Sequence, residues 1–211
     1  MMSGEYGDFN NTNNKELSLL DKLKKAWINE KYAPNLLNYE DVIIKEVMEK
    51  IEEKESLCAS AISNINLQFT ANIYEMEIER LKYIIKCYLV QRIKKIDKFY
   101  SSILLEIEND EYDSYKLLSE FEINYCQKYK ALMDGYFKNT LLNSIPKDFQ
   151  KMDSNSINRP FLNTFVFCKP REDLGDFLVD DETIDFKKTS IYFLKYLPIK
   201  SLVEGGKMDL I

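Results

Sequence analysis

Residues 70–100 read TANIYEMEIERLKYIIKCYLVQRIKKIDKFY, and this stretch decides the fold. Projected at 100° per residue, Ile78, Leu81, Ile84, Ile85, Tyr88, Leu89, Ile93, Ile96, Phe99 and Tyr100 fall within an arc of about half the circumference of a helix. A surface helix of a lone bundle needs an apolar stripe of only about 100°. The wider arc predicts either a central helix enclosed by its own bundle or a helix buried on one side by another chain. Two charges, Glu77 and Arg92, stand inside the arc. At about 1.5 Å rise per residue they are too far apart to pair with each other. If buried, each needs a partner on another element, because an unpaired buried charge is very costly.

Working outward, the helical grammar covers most of the chain. Leu17, Leu20, Leu23 and Trp27 recur at steps of three and four and predict a first helix that stops near Glu30, ahead of Pro34. Asn38 is a plausible N-cap for a second helix with a stripe of Ile44, Val47, Met48, Ile51, Cys58, Ile62 and Ile65. The long helix spans about 70–98, with a continuation beyond a kink near Tyr100. A fourth helix is expected from Ser114 to Asn143, with Leu117, Leu118, Phe121, Tyr125, Tyr129, Leu132 and Tyr136 on one side. No proline falls between Pro34 and Pro146 to interrupt this half.

The grammar then changes. Residues 1–14 are polar and rich in Asn and Gly, and are expected to be a disordered tail. Residues 146–162 lack helical period and read as a linker. After it come short strand-like runs at 165–168, 177–179, 183–186, 191–194 and 208–211, separated by turn signals. The expected fold is mostly α: a long-helix bundle at 15–145 followed by a small β-rich domain at 163–211. About fifty residues make a domain that is marginal alone and gains stability by docking.

Composition narrows the chemistry. The 211 residues contain no histidine, which excludes Ser-His-Asp and Cys-His catalysis, HExxH zinc sites and the ExxH di-iron pattern within this chain. Cys58, Cys87, Cys126 and Cys168 are widely spaced and read as reduced, mostly buried thiols rather than a zinc site. The net charge of −6 argues against a dedicated nucleic-acid binder, and the parts before and after Leu162 are both acidic. Arg80, Lys82, Lys86, Arg92, Lys94, Lys95 and Lys98 scatter around the long helix and read as solvated basic residues rather than a DNA track. A magnesium site needs acidic pairs one turn apart on inward faces; Ile78 stands three residues after Glu75 and Arg80 three after Glu77, so Glu49, Glu52, Glu53, Glu55, Glu75 and Glu79 read as solvated helix faces, and no phosphate loop is present. No catalytic, metal or cofactor residue is assigned, and no apolar run of about 20 residues is long enough for a membrane span.

One segment carries a specific resemblance. Residues 26–37, AWINEKYAPNLL, match the pattern A-W-x-N-E-[KR]-[FY]-A-P-x-L-L and resemble the N-terminal signature of the fourth subunit of the GINS complex, the Sld-five-type subunit. A second block runs from Met76-Glu77-Ile78-Glu79-Arg80 through Tyr88, Leu89 and Arg92 to Ile96-Asp97-Lys98-Phe99. A third runs from Tyr196 through Leu202, Val203 and Gly205 to Leu210-Ile211. The resemblance implies an N-terminal helical domain and a small C-terminal β-rich domain. It implies a non-catalytic structural subunit, in a heterotetramer with three Psf-type subunits, required for assembly and activity of the replicative CMG helicase in initiation and elongation. The implied partners include the MCM ring and the third CMG component, with little or no direct sequence-specific DNA binding, and the implied location is the nucleus. Residues expected to carry structure or interface are Trp27, Glu30, Tyr32, Pro34, Glu77, Arg80, Tyr88, Arg92, Phe99, Leu210 and Ile211. Glu30 is a candidate partner for either Arg80 or Arg92. Some members carry an acidic-hydrophobic tail motif that docks on a replisome hub; the tail here offers only Asp8-Phe9, and that partner is not implied. The alternatives are a helical scaffold outside replication and a carboxylate-dependent metalloenzyme.

Overall fold

The structure, a computed structural model, describes residues 18–61, 68–108, 114–146, 157–179 and 182–211. The expected tail at 1–14, the stripe positions Leu17, Ile62 and Ile65, and most of the expected linker lie outside them. Helix α1 (Leu19–Tyr32) opens on Ser18, whose hydroxyl accepts from the Asp21 amide. It runs two residues past the expected stop at Glu30. Proline restricts only the residue directly before it, and Ala33 is the one that turns extended, at φ −65° and ψ 135°. Helix α2 (Asp41–Ala61) starts three residues after Asn38 and packs antiparallel to α3 (Gln68–Glu108), the longest element among the described residues, with Cys58 meeting Ala71 and Lys54 meeting Glu77. The kink in α3 falls at Phe99 (φ −120°, ψ 15°), whose ring is buried against Leu36, Ile103 and Leu118.

The fourth helix expected from 114 to 143 is two helices, α4 (Ser114–Leu117) and α5 (Glu120–Thr140), followed by a 3-10 turn at Leu142–Ser144. The cause is local and was present in the sequence. Ser119-x-x-Glu122 is a capping box: the Ser119 hydroxyl accepts from the Glu122 amide, while the Glu122 carboxylate accepts from the Ser119 amide. This restart rotates the helix, so that Glu122 and Cys126 face inward. Phe121, Leu132 and Tyr136 of the expected inner stripe face out, Phe121 at 87% exposure.

Two cores fill the helical part. One joins Leu23, Val47, Ile51, Ile78, Leu81 and Tyr88 of α1–α3; the other joins Leu36, Ile96, Phe99, Ile103, Leu118 and Cys126 around the kink. The arc of α3 is therefore covered mostly from within the chain, by α1 and α2 on its first half and α5 on its second.

Beyond residue 157 lie β1 (Phe165–Pro170), β2 (Gly175–Val179), β3 (Glu182–Phe186), β4 (Tyr192–Lys195) and β5 (Met208–Leu210). They form an antiparallel sheet in the order β4-β1-β5 and a β2-β3 hairpin. Strand β1 alternates cleanly, with Val166, Cys168 and Pro170 inward and Phe165, Phe167 and Lys169 outward. Helix α6 (Tyr196–Glu204) had no counterpart among the sequence expectations. Its signals are Pro198 in the first turn and a glycine pair at the end. Gly206, at φ 68°, donates to the Val203 carbonyl and Lys207 donates to that of Leu202, closing a Schellman turn that no β-branched residue would tolerate.

Candidate assembly site

Helix α1 is one wall of both halves of the molecule, and its neighbouring residues Asn29 and Glu30 serve different cores. Glu30 turns inward to the bundle, where it meets Arg92 of α3. Arg92 is 0% exposed, and each of its five N–H groups has an acceptor. Nε and Nη2 grip the Glu122 carboxylate at 2.8 and 3.0 Å, the two-point geometry that guanidinium favours. Nη1 donates to Glu30 Oε2 at 3.1 Å and to the Leu37 carbonyl at 2.7 Å. The remaining Nη2 bond, 2.7 Å to the Leu117 carbonyl, satisfies an acceptor left open where α4 ends. Of the two arginines open to Glu30, it is Arg92 that pairs; Arg80 is exposed.

Lys95, one turn along, completes the cluster. Its ammonium reaches Glu30 Oε1 at 2.6 Å and the Asn35 carbonyl at 2.7 Å, and also bonds the Glu30 carbonyl. This corrects its reading as a solvated lysine: its side chain is 13% exposed. The positions of Glu30 and the 35–37 turn, set by Pro34, place acceptors over it that a helical projection cannot show. Two cations and two carboxylates make the cluster neutral. Burial pulls the Lys95 pKa down even with Glu30 beside it. Burial pulls on Arg92 as well, but the Glu122 hydrogen bond and the nearby charges outweigh it and raise its pKa. The rings of Tyr39 and Tyr88 flank the guanidinium, with centroids 5.2 and 5.7 Å away. Tyr88, also buried, accepts from the Glu40 amide. One arginine thus ties α1, the 33–40 turn, α3, α4 and α5 together.

Asn29 faces the other way. Its side-chain oxygen accepts from the Leu210 amide at 2.8 Å, capping the edge of β5. Beside it Asp209 accepts from Lys25 at 2.7 Å and from Arg171 Nε at 2.8 Å. Burial would push the Asp209 carboxyl up, but the hydrogen bonds of Arg171 and Lys25 hold it below its ordinary value. Ala33 and Leu37 enter the core formed by Val166, Phe186, Tyr196 and Met208, so the small β-rich part is docked on α1 and the turn after it.

The remaining sequence candidates separate clearly. Trp27 is half-buried against the first helical core, and its Nε1–H has no acceptor among the described residues, an omission that typically costs about 1–3 kcal/mol. Tyr32 is exposed and Pro34 half-buried. Glu77 sits at the edge of the arc, its side chain 46% exposed, and pairs with Lys54 of α2 at 2.6 Å. Phe99 and Leu210 are buried, and Ile211 is exposed. Sequence reasoning missed Asn29, Lys25, Glu122, Lys95 and Asp209. Only Glu122 had an independent signal, the capping box.

What the folded chain leaves uncovered is apolar. Phe69, Ile73, Met76, Tyr83 and Val90 line the side of α3 away from its own core, at steps of three, four and seven; Met76 is 75% exposed. Phe121, Leu132 and Tyr136 do the same on α5. On the outer face of the sheet Phe193 stacks against Phe165 and Phe167, with centroids 5.3 and 4.6 Å apart. Among the described residues no group of histidine, cysteine and carboxylate ligands is placed to hold a metal ion, and no helix is long and apolar enough to cross a membrane. Glu55 and Glu79, from the acidic clusters, pair with Lys82.

A helical bundle with a docked β-rich region, a closed internal charge cluster and apolar faces turned outward defines a subunit of a larger assembly. Comparison with known proteins gives the family. Residues 41–141 match the family model of the GINS complex protein helical bundle domain, and residues 160–211 match that of the DNA replication complex GINS protein SLD5 C-terminus. The chain is 32% identical over 201 residues to DNA replication complex GINS protein SLD5 of Homo sapiens, covering 92% of this chain and 89% of the human protein. It is 31% identical to that of Xenopus laevis over 92% of this chain and 90% of the other. With the protein of Arabidopsis thaliana it shares 28% identity over 99% of this chain and 96% of the relative. The chain belongs to the SLD5 family of GINS subunits, which act in DNA replication.

Proposed function

We propose that this chain is a non-catalytic, architectural subunit of a heterotetramer with three Psf-type subunits. In this reading the tetramer joins the MCM ring and the third CMG component in the nucleus, and the assembled helicase depends on it in initiation and elongation. The observation that carries the reading is the apolar side of α3 from Phe69 to Val90. It is exposed although the buried charges of the same helix, Arg92 and Lys95, are satisfied inside the chain. Contiguous exposed apolar surface of this kind marks an interaction site. The absence of histidine from the sequence and the pairing of Glu55, Glu77 and Glu79 with lysines support a role without bond chemistry. Nothing in the reading requires contact with DNA bases.

Co-expression with the three Psf-type proteins tests it. A stable complex with one copy of each chain is expected, and the isolated chain is expected to turn over no nucleotide. A well-behaved monomer that ignores the other three would overturn the assembly role. Nucleotide turnover lost in Glu75→Ala or Glu79→Ala would overturn the architectural one.

A further inference from the structure

A groove of about 1070 Å³ runs between the second half of α1 and the β1–β5 side of the sheet. Trp27, Ile28, Tyr32 and Ile211 contribute its apolar lining, and Lys31, Lys169 and Lys188 rim it. Its one acidic side chain among the described residues, Asp209, is already held by Lys25 and Arg171. No carboxylate among the described residues lies in ion-pair range of Lys31, Lys169 or Lys188. The rim therefore has an excess of positive charge on a chain whose net charge is −6.

We propose that this groove binds a short acidic segment of a partner protein, in which carboxylates alternate with aromatic or branched apolar side chains. Charge complementarity selects the acids: three lysines with no acidic partner among the described residues attract carboxylates at close range. The exposed Tyr32 and Ile211, with the half-buried Trp27 and Ile28, select alkyl and ring side chains. Single-stranded nucleic acid fits less well. A polyphosphate longer than the groove runs out over the acidic surface behind the net charge of −6, whereas a short segment ends within the lysine rim. The inference stands on the groove itself and does not depend on the helicase role.

The test uses the full chain and a fluorescein-labelled acidic peptide that alternates aspartate with phenylalanine and leucine. Fluorescence anisotropy is expected to rise to saturation and to weaken as salt is raised. Trp27, the only tryptophan in the chain, is expected to change its emission over the same titration. Lys31→Glu with Lys169→Glu should weaken binding at least tenfold, while Lys86→Glu, outside the groove, should not. Circular dichroism checks folding; should the double variant unfold, Lys188→Glu alone and the salt series on the unaltered chain decide. No saturable binding, equal binding of a peptide with lysine in place of aspartate, displacement by oligothymidine, or indifference to the groove reversals would each overturn the proposal.

Discussion

At the scale of single residues, Arg92 is where a helical pattern and a tertiary fact meet. A charge amid Tyr88, Leu89, Ile93 and Ile96 can be read from the projection of the helix. Its partners cannot, because they come from residues 30, 37, 117 and 122, on four other parts of the chain. Removing one member of a buried pair leaves the other charged and unsolvated, at a cost of about 3–5 kcal/mol. Arg92→Ala should therefore lower stability by about that amount in urea denaturation, because it strands Glu122 and removes one of the partners of Glu30. Arg92→Lys should recover only part of it, since an ammonium cannot grip Glu122 at two points. Lys94→Ala, on the exposed side, should change little. Lys95→Ala should fall between them, since it deprives Glu30 of one partner and leaves Arg92 in place. Equal midpoints for Arg92→Ala and Lys94→Ala would remove the central claim about this cluster.

Elements depend on such residues at their ends. The break between α4 and α5 rests on Ser119 and Glu122, and Glu122 serves twice, as capping partner and as clamp on Arg92. Ser119→Ala should cost about 0.5–2 kcal/mol, the range for loss of an N-cap. Hydrogen exchange should locate the loss in the first turn of α5; uniform loosening across the bundle would contradict it. The docking of β5 on α1 has a pH signature. Asp209 has a folded-state pKa below its ordinary value of 3.8, so its contribution is present above that pH and is lost as pH falls below it. Asp209→Asn should consequently weaken the chain at neutral pH and lose less than the unaltered chain on acidification through that window. Thermal melts across pH values measure this, and parallel pH curves for the two proteins would remove Asp209 from the docking account.

For the whole molecule the telling contrast is between a satisfied charge cluster inside and uncovered apolar groups outside. The buried cluster of Arg92, Lys95, Glu30 and Glu122 is neutral and closed, so on the open side of α3 association draws on apolar surface. Met76→Glu with Tyr83→Glu places charge on the open side of α3 without touching its core side. The expected outcome is loss of co-purification with the Psf-type subunits while the melting of the isolated chain stays as it was. Retained assembly would move the interface elsewhere, with the aromatic face at Phe165, Phe167 and Phe193 next to be altered.

Legibility followed the range of the interactions. Local pattern sufficed for the helical half, the five strands, the kink within one residue of Tyr100 and the buried character of Arg92, because period, turn residues and proline act within a few positions of themselves. The signature at 26–37 and the blocks that follow it carried the family. The Ser119 restart and helix α6 were also locally encoded, in S-x-x-E and in Pro198 with Gly205-Gly206, but the first competed with a reading of continuous helix and the second lay unassigned between two strand-like runs. Tertiary structure alone decided which partner Glu30 takes, that Lys95 is drawn inward, that Asp209 and Asn29 fasten β5 to α1, and which face of α5 is open. Those outcomes depend on residues from about 30 to over 180 positions apart arriving at one place. Sequence period fixes the direction in which a side chain leaves its own helix, whereas what it meets is set by the packing of the others.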